Sequence, residues 1–126
     1  MLKGQCLCGA IQYVYQAELK NSILCFCQDC RLAQGALLGW NSPIEKIYFK
    51  ILTGDEFLKE FFHTPNKARV FCVQCGSPIY SYRRDLPDVL RLRLGTVVEG
   101  QIPAPNECFY TEYQPDFIQV ITNIDR

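Results

Sequence analysis

The chain reads as a succession of short segments in which β-branched and aromatic residues alternate with polar ones, broken at short intervals by turn signals. Val89 to Leu94 shows the pattern best: Leu90, Leu92 and Leu94 would point inward, and Arg91 and Arg93 outward. Ile44 to Leu52 puts Ile47, Phe49 and Ile51 on one face, while Ala10 to Tyr15 alternates only in its first half. Phe57 to Phe62, Arg69 to Phe71 and Ile79 to Tyr82 also read as strands, and Phe109 to Tyr113 and Phe117 to Ile121 add two candidates. Gly54-Asp55, Thr64-Pro65-Asn66, Gly76-Ser77-Pro78 and Pro103-Ala104-Pro105 punctuate these runs. One short helix is predicted from Gln28 or Asp29 to about Gly35, where the glycine supplies a C-terminal stop. The pattern predicts a mainly β protein of small antiparallel sheets with one short helix.

Length and composition narrow the class. With 126 residues and no linker, repeat or low-complexity tract, residues 1–126 are expected to form a single domain. A hydrophobic content of 48% and a charged content of 21% exclude wholesale disorder. Thirteen basic and thirteen acidic residues cancel, so the chain lacks the electrostatic footprint of a nucleic-acid binder. Its apolar runs are too short for a bilayer span, and Met1-Leu2-Lys3-Gly4-Gln5-Cys6 is not a signal-peptide start. The expectation is a cytoplasmic protein without nucleic-acid or membrane partners.

Cysteine changes the picture. There are eight, and they cluster as Cys6 and Cys8, then Cys25, Cys27 and Cys30, then Cys72 and Cys75, with Cys108 alone. Scattered core thiols would not cluster, and intracellular thiols are kept reduced, so a metal framework is favoured over disulfides. If Cys6 and Cys8 lie on an extended segment, they share a face, awkward for a disulfide but suited to one ion. Zinc is the natural ion for such thiolates and takes four ligands in a tetrahedron. Cys72-Val73-Gln74-Cys75-Gly76 reads as a zinc-knuckle turn, and Cys6-Leu7-Cys8-Gly9 supplies a second pair followed by glycine. Together they predict a closed, structural four-cysteine zinc site.

Cys25, Cys27 and Cys30 remain. Three ligands with an exchangeable fourth position describe a catalytic zinc, whereas closure by Cys108, His63 or a carboxylate would make a second structural site. Three thiolates leave the site with a net charge of −1, a weak Lewis acid better suited to holding an incoming thiolate than to ionising water. Arg31 could offset that charge or hold an anionic group, but solvation is the commoner fate of a helix-end arginine. His63, the only histidine, reads as a strand-end surface residue, and Cys108 as a small buried hydrophobe. Trp40, Tyr48, Phe49, Phe57, Phe61 and Phe62 read as core or pocket wall. Arg83-Arg84 and Arg91-x-Arg93 read as solvated faces, with anion binding as the minority reading.

Three motifs carry a resemblance to a known family. Gly4-Gln5-Cys6-Leu7-Cys8-Gly9-Ala10-Ile11-Gln12-Tyr13, Cys25-Phe26-Cys27-Gln28-Asp29-Cys30-Arg31-Leu32-Ala33-Gln34-Gly35-Ala36 and Arg69-Val70-Phe71-Cys72-Val73-Gln74-Cys75-Gly76-Ser77-Pro78-Ile79-Tyr80 resemble motifs of the glutathione-dependent formaldehyde-activating enzymes. The resemblance covers Gly4 to about Gly95 and implies a β-tent fold organised around zinc. It implies a structural zinc on Cys6, Cys8, Cys72 and Cys75, and an active-site zinc on Cys25, Cys27 and Cys30, two per chain. Some positions depart from the family's pattern. Phe26 stands where histidine is usual, Val97-Val98-Glu99 replaces a Leu-Asp step, and Thr122-Asn123-Ile124-Asp125-Arg126 replaces the usual tail.

The leading expectation is a carbon–sulfur lyase or synthase that joins a small thiol such as glutathione to an aldehyde such as formaldehyde, giving an S-hydroxymethyl adduct. Two other readings stand beside it. A non-catalytic interaction module would close the trio with a fourth protein ligand and expose an apolar patch rather than a cleft. A thiol redox or zinc sensor would release one zinc on mild oxidation.

Overall fold

The computed structural model describes residues 1–120. In chain order the strands are β1 (Leu2–Gln5), β2 (Gln12–Tyr15), β3 (Ile23–Cys25), β4 (Gly39–Glu45), β5 (Phe49–Thr53) and β6 (Leu58–Thr64). They continue with β7 (Lys67–Cys72), β8 (Pro78–Arg83), β9 (Leu86–Arg93), β10 (Val97–Glu99) and β11 (Glu107–Phe109), and the helix α1 (Gln28–Gln34) lies between β3 and β4. The strands make a four-stranded sheet ordered β10-β1-β2-β5 and a seven-stranded sheet ordered β11-β3-β4-β9-β8-β7-β6. All pairs are antiparallel except β3 and β11, which run parallel in register Leu24 with Cys108.

The mainly β expectation with one short helix is met, and the reason is legible in side-chain placement. Tyr13 and Tyr15 of the short sheet, with Ile11 just before β2, meet Ile44, Leu90 and Leu92 of the long one, and Leu94 just after β9, in a single core. Tyr13 and Phe49 rings stand 5.1 Å apart, and Phe49 makes an edge contact with Tyr80, so aromatic rings bridge the two sheets. Cys6 and Cys72 belong to the same core, which places the four-cysteine cluster inside the packing rather than beside it. Helix α1 ends where the sequence signals it: Gly35 adopts φ 61 and donates its N–H to the Arg31 carbonyl.

Several expectations need correction. Ile44 to Leu52 is not one strand, because a 3-10 turn at Lys46–Tyr48 carries the chain from β4 in the long sheet to β5 in the short one. Ile47 sits on that turn and is 78% exposed. Arg93 does not face solvent; it is 4% exposed, held by the Asn41 side chain of β4 and the Arg91 carbonyl. Phe109 to Tyr113 splits into the end of β11 and a 3-10 turn at Thr111–Tyr113, separated by Tyr110 at φ 58. Residues 117–120 form no strand, with Phe117 exposed, while Ile121 and the divergent tail lie outside the described residues. Cys6 and Cys8 occupy a turn rather than an extended segment.

Candidate metal centre and its cleft

Two turns build the first cysteine cluster. Gly9 at φ 77 donates its N–H to the Cys6 carbonyl at 3.1 Å, and Gly76 at φ 83 does the same to Cys72 at 2.8 Å. Both positions need the left-handed region that glycine adopts without steric cost. The turns are joined by the Leu7 N–H donating to Ser77 Oγ at 2.9 Å. Cys6 and Cys8 Sγ stand 3.5 Å apart, Cys8 and Cys72 Sγ 3.9 Å apart, and with Cys75 all four sulfurs lie within 4.8 Å of one another. A disulfide would bring two sulfurs to roughly 2 Å, whereas four thiolates about 2.3 Å from a central zinc would be spaced by about 3.8 Å. The observed spacing is too long for a disulfide and suits four sulfurs around one ion.

Donors surround these sulfurs. The Ile11 N–H reaches Cys6 Sγ at 3.3 Å and Gln74 Nε2 reaches Cys8 Sγ at 3.4 Å. Ser77 Oγ, 3.3 Å from Cys75 Sγ, holds the Cys75 thiol down to about 5. At Cys8 a backbone hydrogen bond from Ala10 works the same way, but desolvation and proton sharing with Cys6, Cys75 and Cys72 outweigh it and push that thiol up to about 11. One sulfur gives up its proton readily and its neighbour does not, so a divalent cation would displace protons from a preformed cluster.

The trio forms at the junction of β3 and α1. Cys25 ends the strand, Cys27 is the helix N-cap with backbone ψ 155, and Cys30 lies one turn in, donating its N–H to Cys27 Sγ at 3.3 Å. The three sulfurs lie within 4.8 Å of one another, and among the described residues no fourth histidine, cysteine or carboxylate atom joins them. Cys25 and Cys30 are buried, while Cys27 is half-buried. Burial works to raise the Cys27 thiol, but hydrogen bonds from Cys30 and Cys25 more than offset it and bring it below its ordinary value. Cys30 goes the other way, pushed up to about 12 by burial and by the adjacent sulfurs. Both donor sets fit zinc: soft sulfur ligands, four gathered in one case and three in the other.

The trio opens into a cleft of about 530 Å³. Asp29 and His63 stand at its edge, with His63 Nε2 3.1 Å from Asp29 Oδ2. The sheet side of the cleft is the outer face of β7, β8 and β9, carrying Lys67, Arg69, Arg83, Arg91 and Arg93. Buried Arg93 donates from Nη1 to Asn41 Oδ1 at 2.9 Å and to the Arg91 carbonyl at 3.2 Å. Its burial, with Arg69 close by, draws its guanidinium down to about 10 despite the neighbouring Cys30 and Cys25 sulfurs. A second, apolar chamber of about 360 Å³ lies between α1 and the sheet, lined by Leu32, Ala33, Phe61, Phe71, Pro78 and Tyr80, and it shares Asp29, His63, Arg69 and Arg93 with the cleft.

The sequence reading therefore undervalued four residues. His63 lies near the end of β6 as expected, yet it faces the trio's helix through Asp29, which stands in that helix's first turn. Arg91 is exposed as expected but lines the cleft, whereas Arg93 is buried with the Asn41 amide as its partner. Sequence separations of 34 residues for His63 and Asp29, and 52 for Arg93 and Asn41, leave no local signature. Arg31 is exposed on α1 outside this cleft, and Arg84 covers the Phe62 ring at 4.1 Å. Cys108 is half-buried in β11 and stands outside the trio's group.

A family model described as glutathione-dependent formaldehyde-activating enzyme matches residues 1–113. The chain belongs to this family. The match contains both cysteine clusters and every residue named above as lining the cleft. A crystal structure of a Rhodobacter sphaeroides protein superposes with a TM-score of 0.62 at 28% sequence identity, over 80% of this chain and 91% of that one. No curated protein sequence matches the chain. Membership in the formaldehyde-activating family suggests glutathione and formaldehyde as the relevant reactants. Among the described residues no helix is long and apolar enough to cross a membrane.

Proposed function

We propose that this formaldehyde-activating family member is a carbon–sulfur bond-forming enzyme that adds a small thiol such as glutathione to formaldehyde or a similar aldehyde in the cleft above Cys25, Cys27 and Cys30. The observation that carries this is the trio itself. Three sulfurs converge at one end of a cleft, and no fourth ligand from the described chain closes them. An interaction module would have closed the trio, and in place of a bare apolar patch the trio faces a cleft rich in cationic side chains.

In the reaction a sulfur–carbon bond forms, the carbonyl π bond breaks, and the proton of the thiol ends on the carbonyl oxygen. Zinc, when held by the trio, would supply the charge that keeps the substrate sulfur as a thiolate at neutral pH. Cys6, Cys8, Cys72 and Cys75 would hold a second, structural zinc. Cys27, half-buried and with its thiol lowered, is a ligand the cleft can reach, while burial and the adjacent sulfurs push the Cys30 thiol up. His63, oriented by Asp29, is the side chain at the cleft edge able to hand the proton to the oxygen. Confinement of both reactants in the cleft would supply much of the acceleration.

The test is the rate of S-hydroxymethyl adduct formation from glutathione and formaldehyde against the spontaneous rate. Protein-dependent acceleration abolished by Cys27→Ser is expected. No acceleration with glutathione or any other common thiol would sink the proposal.

A further inference from the structure

The sheet wall of the cleft carries a row of cationic side chains without acidic partners of their own. Arg69, Ser81 and Arg91 stand directly opposite one another across β7, β8 and β9, and paired residues of antiparallel strands share a face. Lys67 is two residues from Arg69 on the same strand and lines the same cleft. Asp85 engages Arg83 at 2.6 Å, but no acidic side chain pairs with Lys67, Arg69 or Arg91 among the described residues. Burial lowers the Lys67 ammonium and Arg69 lowers it further; Cys30 works the other way, and Arg93 and Arg91 add to the lowering, so the cations of the wall repel one another.

Ser81 supplies an independent sign. Its side chain is fully buried and its hydroxyl makes no hydrogen bond with the described chain. Native interiors seldom leave a buried hydroxyl without a partner, and this one sits in the row between two guanidinium-bearing residues. A hydroxyl and flanking cations are the set that grips an oxyanion.

We infer that Lys67, Arg69 and Arg91, grouped around Ser81, form an oxyanion seat for the charged end of the thiol ligand, taking a carboxylate or phosphate group it carries. This rests on the reading that the trio's cleft holds a thiol, and it names the class: a thiol that also carries a carboxylate or phosphate group. Arg69 and Arg91 would donate to the oxyanion, Ser81 would donate its hydroxyl hydrogen, and Lys67 would add charge.

The experiment is calorimetric titration of the purified, metal-containing full chain with two probes lacking a free thiol, S-methylglutathione and inorganic phosphate. Saturable one-to-one binding of at least one probe, weakened by added salt, is expected. Arg69→Gln and Arg91→Gln should each raise Kd about tenfold or more. Ser81→Ala should raise it roughly fivefold without lowering the melting temperature, since it breaks no bond within the protein. Arg84→Gln removes the same charge outside the cleft and should bind as the unmodified protein does. Binding of S-methylglutathione alone identifies carboxylates as the seat's occupant, and binding of phosphate alone identifies a phosphorylated thiol.

Binding of neither probe overturns the seat. So does equal weakening by Arg84→Gln, or unchanged binding in Ser81→Ala and Arg91→Gln proteins of native circular dichroism and metal content. Because exposed Arg91 and the unbonded Ser81 hydroxyl hold nothing in the fold, these two variants decide the matter even if Arg69→Gln fails to fold. Neither probe needs an aldehyde or a free sulfur. A seat that binds while turnover is absent defeats the thiol–aldehyde reaction alone, and turnover indifferent to these variants defeats the seat alone.

Discussion

His63 and Asp29 join two distant parts of the chain at the edge of the cleft: Nε2 of one lies 3.1 Å from Oδ2 of the other, tying β6 to the first turn of α1. Both side chains are about half exposed, and exposed pairs of this kind contribute about 1 kcal/mol or less. The contact is therefore weak as a brace. In the proposed reaction its part is to orient the imidazole at the cleft. His63→Ala should leave the melting temperature nearly unchanged while lowering kcat for adduct formation by roughly a hundredfold. Equal kcat in the variant would remove His63 from the proton path.

The two cysteine clusters should respond differently to loss of one sulfur. Cys72 is fully buried within the core that joins the sheets, whereas Cys27 is half-buried at a cleft. Cys72→Ser should cost the structural metal and, with it, on the order of 10 kcal/mol of coupled folding free energy, leaving an unfolded chain. Cys27→Ser should keep one equivalent of zinc and a native circular dichroism spectrum while losing the second. Metal analysis of both variants beside the unmodified protein, where two equivalents are expected, checks this directly.

Tyr13 predicts an alkaline signature. Burial pushes its hydroxyl up to about 12, with a 2.7 Å hydrogen bond to Thr96 Oγ1 acting in the opposite direction. In the unfolded chain a tyrosine ionises near 10, so this group's contribution is fully present below about pH 10 and is lost as pH rises toward 12. The loss amounts to about 2–3 kcal/mol. Tyr13→Phe should be less stable than the unmodified protein at pH 8, by about 1 kcal/mol for the missing hydrogen bond. It should then lose less between pH 10 and 12, so that the two denaturant-unfolding midpoints converge or cross. Parallel curves over that range would contradict the account.

Much of this was legible in the sequence because its signals are local. Sulfurs two or three residues apart, followed by Gly9 or Gly76, announce metal-cage turns without any tertiary information. Leu90, Leu92 and Leu94 announce a core face by alternation alone, and Gly35 ends α1 as a left-handed cap. What escaped depends on strands meeting across the chain. Arg93 follows the same alternation as Arg91, and nothing nearby in sequence shows that Asn41 will hold it. The turn at Lys46–Tyr48 escaped for a related reason, since Ile44 and Phe49 each suit a strand and only the passage between two sheets separates them.

Gly39 couples the fold to the trio. It pairs with Cys25 across β3 and β4, and a Cβ at this position would stand 3.2 Å from Cys30 Cβ and 3.5 Å from its Sγ. The backbone of Gly39 is ordinary strand, so alanine meets no conformational penalty there; what it meets is the side of Cys30. Contacts that tight require Cys30 to give by a few tenths of an ångström, and Cys30 is held in the first turn of α1 by its N–H bond to Cys27. The displacement falls on the spacing of three sulfurs, not on the core, which lies on the other side of the sheet. Gly39→Ala should therefore weaken zinc at the trio by about tenfold or more, the range expected when a ligand's support is disturbed. The four-cysteine site should keep its metal. Competition with a graded series of chelators would separate the two sites, and equal loss from both would show that the strain spreads through the fold instead of ending at Cys30.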